Sequence, residues 1–320
     1  MKACVNTRYG PPEVVSAIEV EQPVPKDNEV LIKVIATTVN RTDCGFRSAE
    51  YVVSRFFSGL LKPSNSILGN EFAGIIEATG KSVTSLKAGN RVFGYNDSRF
   101  GAHAGYMTLA ETDMIALMPT NVTFEEAAPI TEGAHYALCN IRAAKVTAGQ
   151  QVMVYGATGA IGSAAVQLLK YFGARVTAVC ATPQVDLVKS LGADNVIDYT
   201  REDYTQTNLQ FHLVLDAVGK SSFGKCKPLL HKKGIYISTE LGKHGENIWL
   251  ALTTPLLGSK KVMFPIPSIK KDDLLLLQQL VETGHYKPVI DRQYNLQDIV
   301  AAYHYVESGQ KIGNVVINVS

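Results

Sequence analysis

The 320 residues carry almost no excess of charge of either sign: 31 Lys and Arg stand against 29 Asp and Glu, a formal net charge of +2. Binding a nucleic-acid backbone or an anionic membrane surface needs a net basic face, and no Lys/Arg run supplies one, so neither partner is expected. Long hydrophobic stretches are missing too. The densest runs, such as Leu274–Leu277, fall far short of the roughly 18 apolar residues that span a bilayer, and Met1–Gly10 lacks the apolar core of an export signal. A cytoplasmic protein is therefore expected. Cysteine is scarce and scattered. Cys4, Cys44, Cys139, Cys180 and Cys226 are odd in number and never paired as C-x-x-C, which leaves neither a disulfide framework nor a zinc knuckle. What the chain does have is apolar residues, 46% of positions, and that excludes disorder. At about 150 residues per domain the length suggests about two domains, each with its own core. A small molecule is the default partner.

The first stretch, to about residue 122, is β-rich in texture. Glu29–Ala36 alternates, with Val30, Ile32 and Val34 on one face and Lys33 on the other, and turns are punctuated by Gly10-Pro11-Pro12, Gly69, Gly80, Gly89 and Gly94. From residue 123 short apolar runs alternate with helix-length segments: Gln151–Tyr155, Arg175–Val179, Asn195–Asp198, His212–Asp216, Gly234–Ser238 and Lys261–Phe264. Six such runs with helices between them predict an α/β fold with a doubly wound parallel sheet. A Leu-rich helix over Asp272–Glu282, a helix capped by Asn295 and stopped by Gly309, and a strand Asn314–Val319 close the chain.

Val152-Met153-Val154-Tyr155 runs straight into Gly156-Ala157-Thr158-Gly159-Ala160-Ile161-Gly162, and an apolar stripe at Ile161, Ala165, Leu168 and Phe172 follows. Strand, tight turn and helix in that order form a dinucleotide site. Gly159 lets the backbone approach a pyrophosphate, Gly162 lets helix and strand pack closely, and the helix N-terminus presents its amides. Ala157 stands where the first glycine of G-x-G-x-x-G is usual. The next strand selects the cofactor. An NAD site places an acid about 20 residues beyond the fingerprint, whereas here the strand ends Val179-Cys180-Ala181-Thr182-Pro183-Gln184 without a carboxylate. Thr182 and Pro183 read as N-cap and first residue of a helix, free to receive a 2′-phosphate, so NADPH is the expected cofactor.

The chain resembles the medium-chain dehydrogenase/reductase superfamily, and within it the zinc-free quinone oxidoreductase (zeta-crystallin-like) branch. The resemblance rests on Met1-Lys2-Ala3 with Tyr9-Gly10-Pro11-Pro12-Glu13, on Val39-Asn40-Arg41-Thr42-Asp43, on Leu68-Gly69-Asn70-Glu71-Phe72-Ala73-Gly74, on Gly149 to Lys170 with Gln167, and on Gly192-Ala193-Asp194 through Tyr199. Met153, Thr158 and Ala160 depart conservatively from the branch's usual glycine-loop residues. The resemblance implies a discontinuous GroES-like catalytic domain (1–122 and 264–320) and a Rossmann NADP-binding domain (123–263).

It also implies a chemistry. Zinc-dependent members place a Cys and a His where this chain has Asn40 and Asn70, and neutral amides are poor Zn²⁺ ligands; no metal site is expected. Without a metal to lower a hydroxyl pKa, alcohol oxidation loses its means of removing the proton. Hydride transfer from NADPH to a quinone or an α,β-unsaturated carbonyl needs only placement and hydrogen bonds. The resemblance puts Asn40 and Asp43 beside the nicotinamide ribose, Tyr51 near the substrate, and His135 where relatives carry a hydroxyl facing the nicotinamide. Gly45 replaces a second tyrosine of some relatives. Val218, Gly219 and Leu241 fall along the path from adenosine to nicotinamide, Tyr199 beside the adenine or its phosphate, and Cys180 with Thr182 at the end of the second strand. Two other functions remain open, a zinc-type alcohol dehydrogenase and an NADPH-binding protein without turnover, and the assembly, a homodimer among the options, is not fixed by sequence.

Overall fold

The computed structural model describes residues 1–50 and 55–319. Strands β1 (Lys2–Asn6) and β2 (Val15–Glu19) form a two-stranded antiparallel ribbon. The long strand β3 (Glu29–Val39) follows, then helices α1 (Arg41–Ser48) and α2 (Arg55–Ser58), strands β4 (Glu71–Thr79), β5 (Arg91–Tyr95), β6 (Tyr106–Ala110) and β7 (Ile115–Leu117), and the short helix α3 (Phe124–Ala127). The alternation in Glu29–Ala36 predicted one buried face for β3. Lys33 is its one exposed residue, and Leu31 is buried along with Val30, Ile32 and Val34. The reason is position, since β3 is paired with β4, β6 and the last strand of the chain and so lies in the middle of its sheet.

The next elements alternate as the six apolar runs require, except that only a 3₁₀ turn, Tyr204–Gln206, separates β10 from β11: α4 (Glu132–Ala143), β8 (Gln151–Tyr155), α5 (Ala160–Tyr171), β9 (Arg175–Cys180), α6 (Val185–Ser190), β10 (Asn195–Asp198), β11 (Phe211–Asp216), α7 (Phe223–Cys226), β12 (Leu230–Ser238), α8 (Glu246–Leu257) and β13 (Lys261–Met263). The six strands pair in parallel in the order β10-β9-β8-β11-β12-β13. Strand order reverses between β8 and β11, and the carboxyl ends on either side of that reversal are where such sheets hold ligands. Its core joins Met153, Val179, Val214 and Tyr236 to Phe211 and Val262.

The chain then continues through α9 (Lys271–Glu282), β14 (Ile290–Asn295), α10 (Ile299–Glu307) and β15 (Asn314–Asn318). Strand β15 lies between β14, to which it is parallel, and β3, to which it is antiparallel with Val315 opposite Val39. The resulting seven-stranded sheet runs β14-β15-β3-β4-β5-β7, with β6 also on β3. Asn295 does not cap a helix through its side chain as expected. It heads a 3₁₀ turn, Leu296–Asp298, with its amide on the Asp298 carboxylate at 3.3 Å, and α10 starts only afterwards.

The described residues of Met1–Glu132, Lys270–Thr283 and Pro288–Ser320 make one compact unit, and Gly133–Ile269 with Gly284–Lys287 make the other. The change of texture at residue 123 therefore precedes the change of unit. Residues 123–132 stay with the first unit because Thr131 and Glu132 are hydrogen-bonded to Glu71 at the start of β4. Among the described residues no helix is long and apolar enough to cross a membrane.

The glycine turn constrains the second unit most tightly. A Cβ on Gly162 in the first turn of α5 would strike the Gly156 carbonyl oxygen and come within 2.9 Å of Ala157 Cα. Gly162→Ala is expected to destabilise the fold by about 1–3 kcal/mol. Thermal unfolding checks this, and an unchanged midpoint would mean that α5 can withdraw from β8 without cost.

Candidate active site and cofactor site

In the first unit the site grows from the end of β3. Asn40 leaves the strand in extended conformation and caps α1: its Oδ1 accepts from the Asp43 amide at 3.0 Å, and Asp43 Oδ2 accepts from the Asn40 amide at 3.1 Å. This reciprocal capping box satisfies two otherwise orphaned donors. The Asn40 Nδ2 donates to Asn70 Oδ1 at 2.6 Å, and Asn70 Nδ2 donates to Glu132 Oε2 at 2.7 Å. Thr42 Oγ1 donates to Glu132 Oε1 at 2.7 Å. Below this chain, Glu71 Oε1 accepts from the Thr131 amide, the Thr131 hydroxyl and the Glu132 amide, while Oε2 accepts from the Thr38 hydroxyl.

Three buried carboxyls therefore share one small volume. Burial raises the pKa of Asp43 to about 8, opposed by the amides of Asn40 and Gly69. Burial also raises Glu71, opposed by its donors at Glu132, Thr38 and Thr131. Glu132 is pushed well above the usual range, first by burial and then by the charges of Glu71 and Asp43. Lys311 is held below its ordinary value by burial, against the attraction of Glu132 and Glu71. His103 is held at about 4 by burial, and its Nε2 meets the Thr38 carbonyl at 2.7 Å, so it is a neutral structural imidazole.

The residues expected at the site are distributed as follows. Asn40 and Asp43 are together, but Asp43 has a different role from the one the resemblance implies. It is 0% exposed and both its oxygens face backbone amides, those of Asn40 and Gly69, so it shapes the start of α1 and offers no oxygen to a ligand. Tyr51 lies outside the described residues. His135 belongs to the second unit, where it is 2% exposed with its ring 4.7 Å from that of Tyr136. Glu71, Glu132 and Thr42 were not singled out in the sequence. One signal was available, an acid two residues after the apolar run Ala127-Ala128-Pro129-Ile130, because a charge in such a setting must be buried and paired.

The donor set does not fit zinc. Asn40 and Asn70 are bonded directly to each other, Asn70 turns an N–H toward Glu132, and one carboxylate without thiolate or imidazole does not make a Zn²⁺ site.

In the second unit the glycine turn has the shape a dinucleotide needs. Gly156 has φ +75°, and a side chain there would collide with Val218 at 2.6 Å. Ala157 is buried and its amide donates to the Val179 carbonyl, which ties the turn to the neighbouring strand. Thr158 leads to Gly159, the N-cap of α5 in extended conformation, so the amides of Ala160 and Ile161 form the unpaired first turn of the helix. Val218 and Gly219, at φ +65°, close the end of β11, where Asp216 accepts from the amides of Val218 and Ser221. Leu241 follows the end of β12. Cys180 is buried and its thiol is pushed up to about 11 by burial, so it packs and does not react.

Thr182 departs from expectation. It sits inside a 3₁₀ turn whose N-cap is Ala181, and its hydroxyl bonds the Asp198 carboxylate and lies 2.8 Å from the Thr200 hydroxyl. Strand β9 ends without an acid, but the parallel register puts Asp198 of β10 opposite Cys180, and a carboxylate reaches the place in question after all. The hydroxyls of Thr182 and Thr200 hold that carboxyl below its ordinary range, and Arg201 Nε stands 3.5 Å from it. Tyr199, 52% exposed, and Arg201 line an open depression of about 380 Å³ with Tyr155, Glu202, Asp203 and Tyr204.

Residues 26–120 match the family described as alcohol dehydrogenase GroES-like domain, and residues 191–317 the family described as zinc-binding dehydrogenase. The chain is 31% identical over 331 residues to the 2-methylene-furan-3-one reductase of Solanum lycopersicum, covering 99% of this chain and 79% of that protein. It is 29% identical to the chloroplastic NADPH-dependent alkenal/one oxidoreductase of Arabidopsis thaliana over 330 residues, with the same coverage of 99% and 79%. The solved quinone oxidoreductase from Coxiella burnetii superposes with a TM-score of 0.89 at 25% identity, over 100% of this chain and 99% of that one.

Asp43 carries a pH signature. Its folded pKa of about 8 lies above its ordinary 3.8, so the folded state binds the proton more tightly and stability falls as pH rises between those values. Asp43→Asn, which cannot titrate, is expected to shrink the gap in urea midpoint between about pH 5 and about pH 8. An undiminished gap would show that Asp43 is not the titrating group.

Proposed function

The chain belongs to the medium-chain dehydrogenase/reductase superfamily, and from that premise we propose that it is an NADPH-dependent, metal-independent reductase acting on a quinone or an α,β-unsaturated carbonyl. One observation carries the metal-free part. At the positions where zinc relatives place Cys and His, this chain has two amides hydrogen-bonded to each other at 2.6 Å. Such a pair can hold and polarise a ligand oxygen, but it cannot generate an alkoxide, which alcohol oxidation requires. The substrate class is supported by the relatives: the tomato protein is named as a reductase of a methylene-furanone, the Arabidopsis protein for alkenals and alkenones with NADPH, and the Coxiella protein as a quinone oxidoreductase.

When bound, NADPH supplies the hydride. The chain's own residues bind and orient. The turn Gly156–Gly162 and the free amides at the head of α5 accept the pyrophosphate, with the helix dipole favouring its charge. Tyr199 and Arg201 stand at the adenosine end, where Arg201 offsets the Asp198 charge and favours a 2′-phosphate over a bare ribose hydroxyl. Following the resemblance, we assign Asn40 a hydrogen bond at the nicotinamide and His135 one to the acceptor oxygen. A zinc alcohol dehydrogenase is disfavoured by the same amide pair, and a binding protein without turnover is separated by assay alone.

The proposal extends to a cytoplasmic location and to a homodimer. On the outward face of α8, Trp249 is 68% and Leu256 86% exposed, beside Leu252 and Leu257, and β13 next to it is the edge strand of its sheet. We assign this apolar face beside a strand edge as the surface that a second copy covers about a two-fold axis.

NADPH consumption over a panel of quinones, enals and enones is expected to proceed, to favour NADPH over NADH, and to survive a chelator. Asn40→Ala should lower kcat/KM by about 1–3 kcal/mol. Zinc near one equivalent, or activity lost to a chelator and restored by Zn²⁺, would replace this reading with alcohol oxidation. Light scattering should give twice the chain mass of 34.7 kDa, with Trp249→Glu shifting the protein toward monomer; a wild-type monomer would remove the dimer.

A further inference from the structure

Resting on the reductase reading above, we propose that Glu132 is the proton store of the reaction and that Thr42 is the hydroxyl through which its proton leaves. Hydride addition to a quinone or enone leaves an anion that must gain one proton, and three buried carboxyls lie in the network around Asn40. Their partners distinguish them. Asp43 faces two backbone amides, which can donate but cannot take a proton. Glu71 receives four donors, two of them backbone amides, and its two hydroxyl partners, Thr38 and Thr131, are both buried and open no way to the surface. Glu132 faces Asn70 Nδ2, which only donates, and the Thr42 hydroxyl, which both donates and accepts. Thr42 is also the one member of the chain Asn40, Thr42, Asn70, Glu71, Glu132 that is not buried. Among the described residues a proton on Glu132 thus has one way out, through the partly exposed Thr42 hydroxyl.

The charges around Glu132 favour storage. Burial presses a proton onto it and the Glu71 carboxyl on β4 adds to that, while Lys311, ahead of β15, pulls the other way and spends its own Nζ on the Gly313 carbonyl. Cys44 on α1 is buried with its thiol pushed up, so it adds no charge. In the step itself the O–H bond of Glu132 breaks and its proton passes to Thr42 Oγ as the Thr42 hydroxyl proton passes to the reduced anion. An enolate or hydroquinone monoanion becomes the neutral product. Glu132 is left as a carboxylate and regains its proton from water by the same hydroxyl.

The test uses the full-length protein, Glu132→Gln, Thr42→Val and Thr42→Ser. Infrared difference spectra of the cofactor-free protein near neutral pH are expected to show a protonated carboxyl C=O band that Glu132→Gln removes and Thr42→Val keeps. With NADPH and an enone, Glu132→Gln and Thr42→Val should each lower kcat by roughly a hundredfold with KM little changed, and Thr42→Ser should restore it. A spectrum without a Glu132-dependent band overturns the store whatever the reaction proves to be, and full activity in Thr42→Val overturns the exit. Wild-type failure on every quinone and enone overturns the reductase reading, and with it the exit through Thr42, while the band decides Glu132 independently.

Discussion

Four donors on one buried carboxylate set the architecture of the first unit. Glu71 opens β4, and its oxygens take the Thr38 hydroxyl of β3 together with the amides and hydroxyl of Thr131 and Glu132. Those contacts fix where β4 begins relative to β3 and where the chain goes as it leaves the unit at Glu132. An ionised carboxylate taken out of water costs several kcal/mol unless its lone pairs are all engaged, so each donor is held in place by the penalty of losing it. Asn70, the preceding residue, inherits its orientation from the same anchor, and Asn40 inherits its own from Asn70.

Crowding follows from that anchor. Three carboxyls within one dry volume cannot all ionise cheaply, and their partners set them apart: Asp43 has amides and Glu132 a hydroxyl. Two amides and a carboxylate form this site, with neither thiolate nor imidazole bonded to them.

The fold was legible because its signals are periodic and local. Six apolar runs gave six parallel strands, and the glycine spacing gave the turn from β8 to α5. What the sequence hid are contacts between residues far apart along the chain. Asn40, Asn70 and Glu132 are thirty and sixty-two positions apart in succession, as their bonds record, and no spacing rule links them. Asp43 read as a site residue because its neighbours carry the resemblance, yet its place three after the N-cap made it half of a capping box. Thr182 misled for a related reason: scanning β9 for an acid overlooks β10, whose last residue lies alongside.

Strand β15 places a constraint on synthesis. Residues 314–318 insert between β14 and β3, with Val315 against Val39 and Val316 against Thr38. Strand β3 emerges from the ribosome long before residues 314–318, and its edge on that side stays open until they have followed it. The parallel sheet of the second unit, complete by Met263, has all its strands available well before that. The unit whose chain begins first is thus the last to be finished, and through that interval the apolar edge of β3 depends on quick completion or on a chaperone to avoid pairing with another chain.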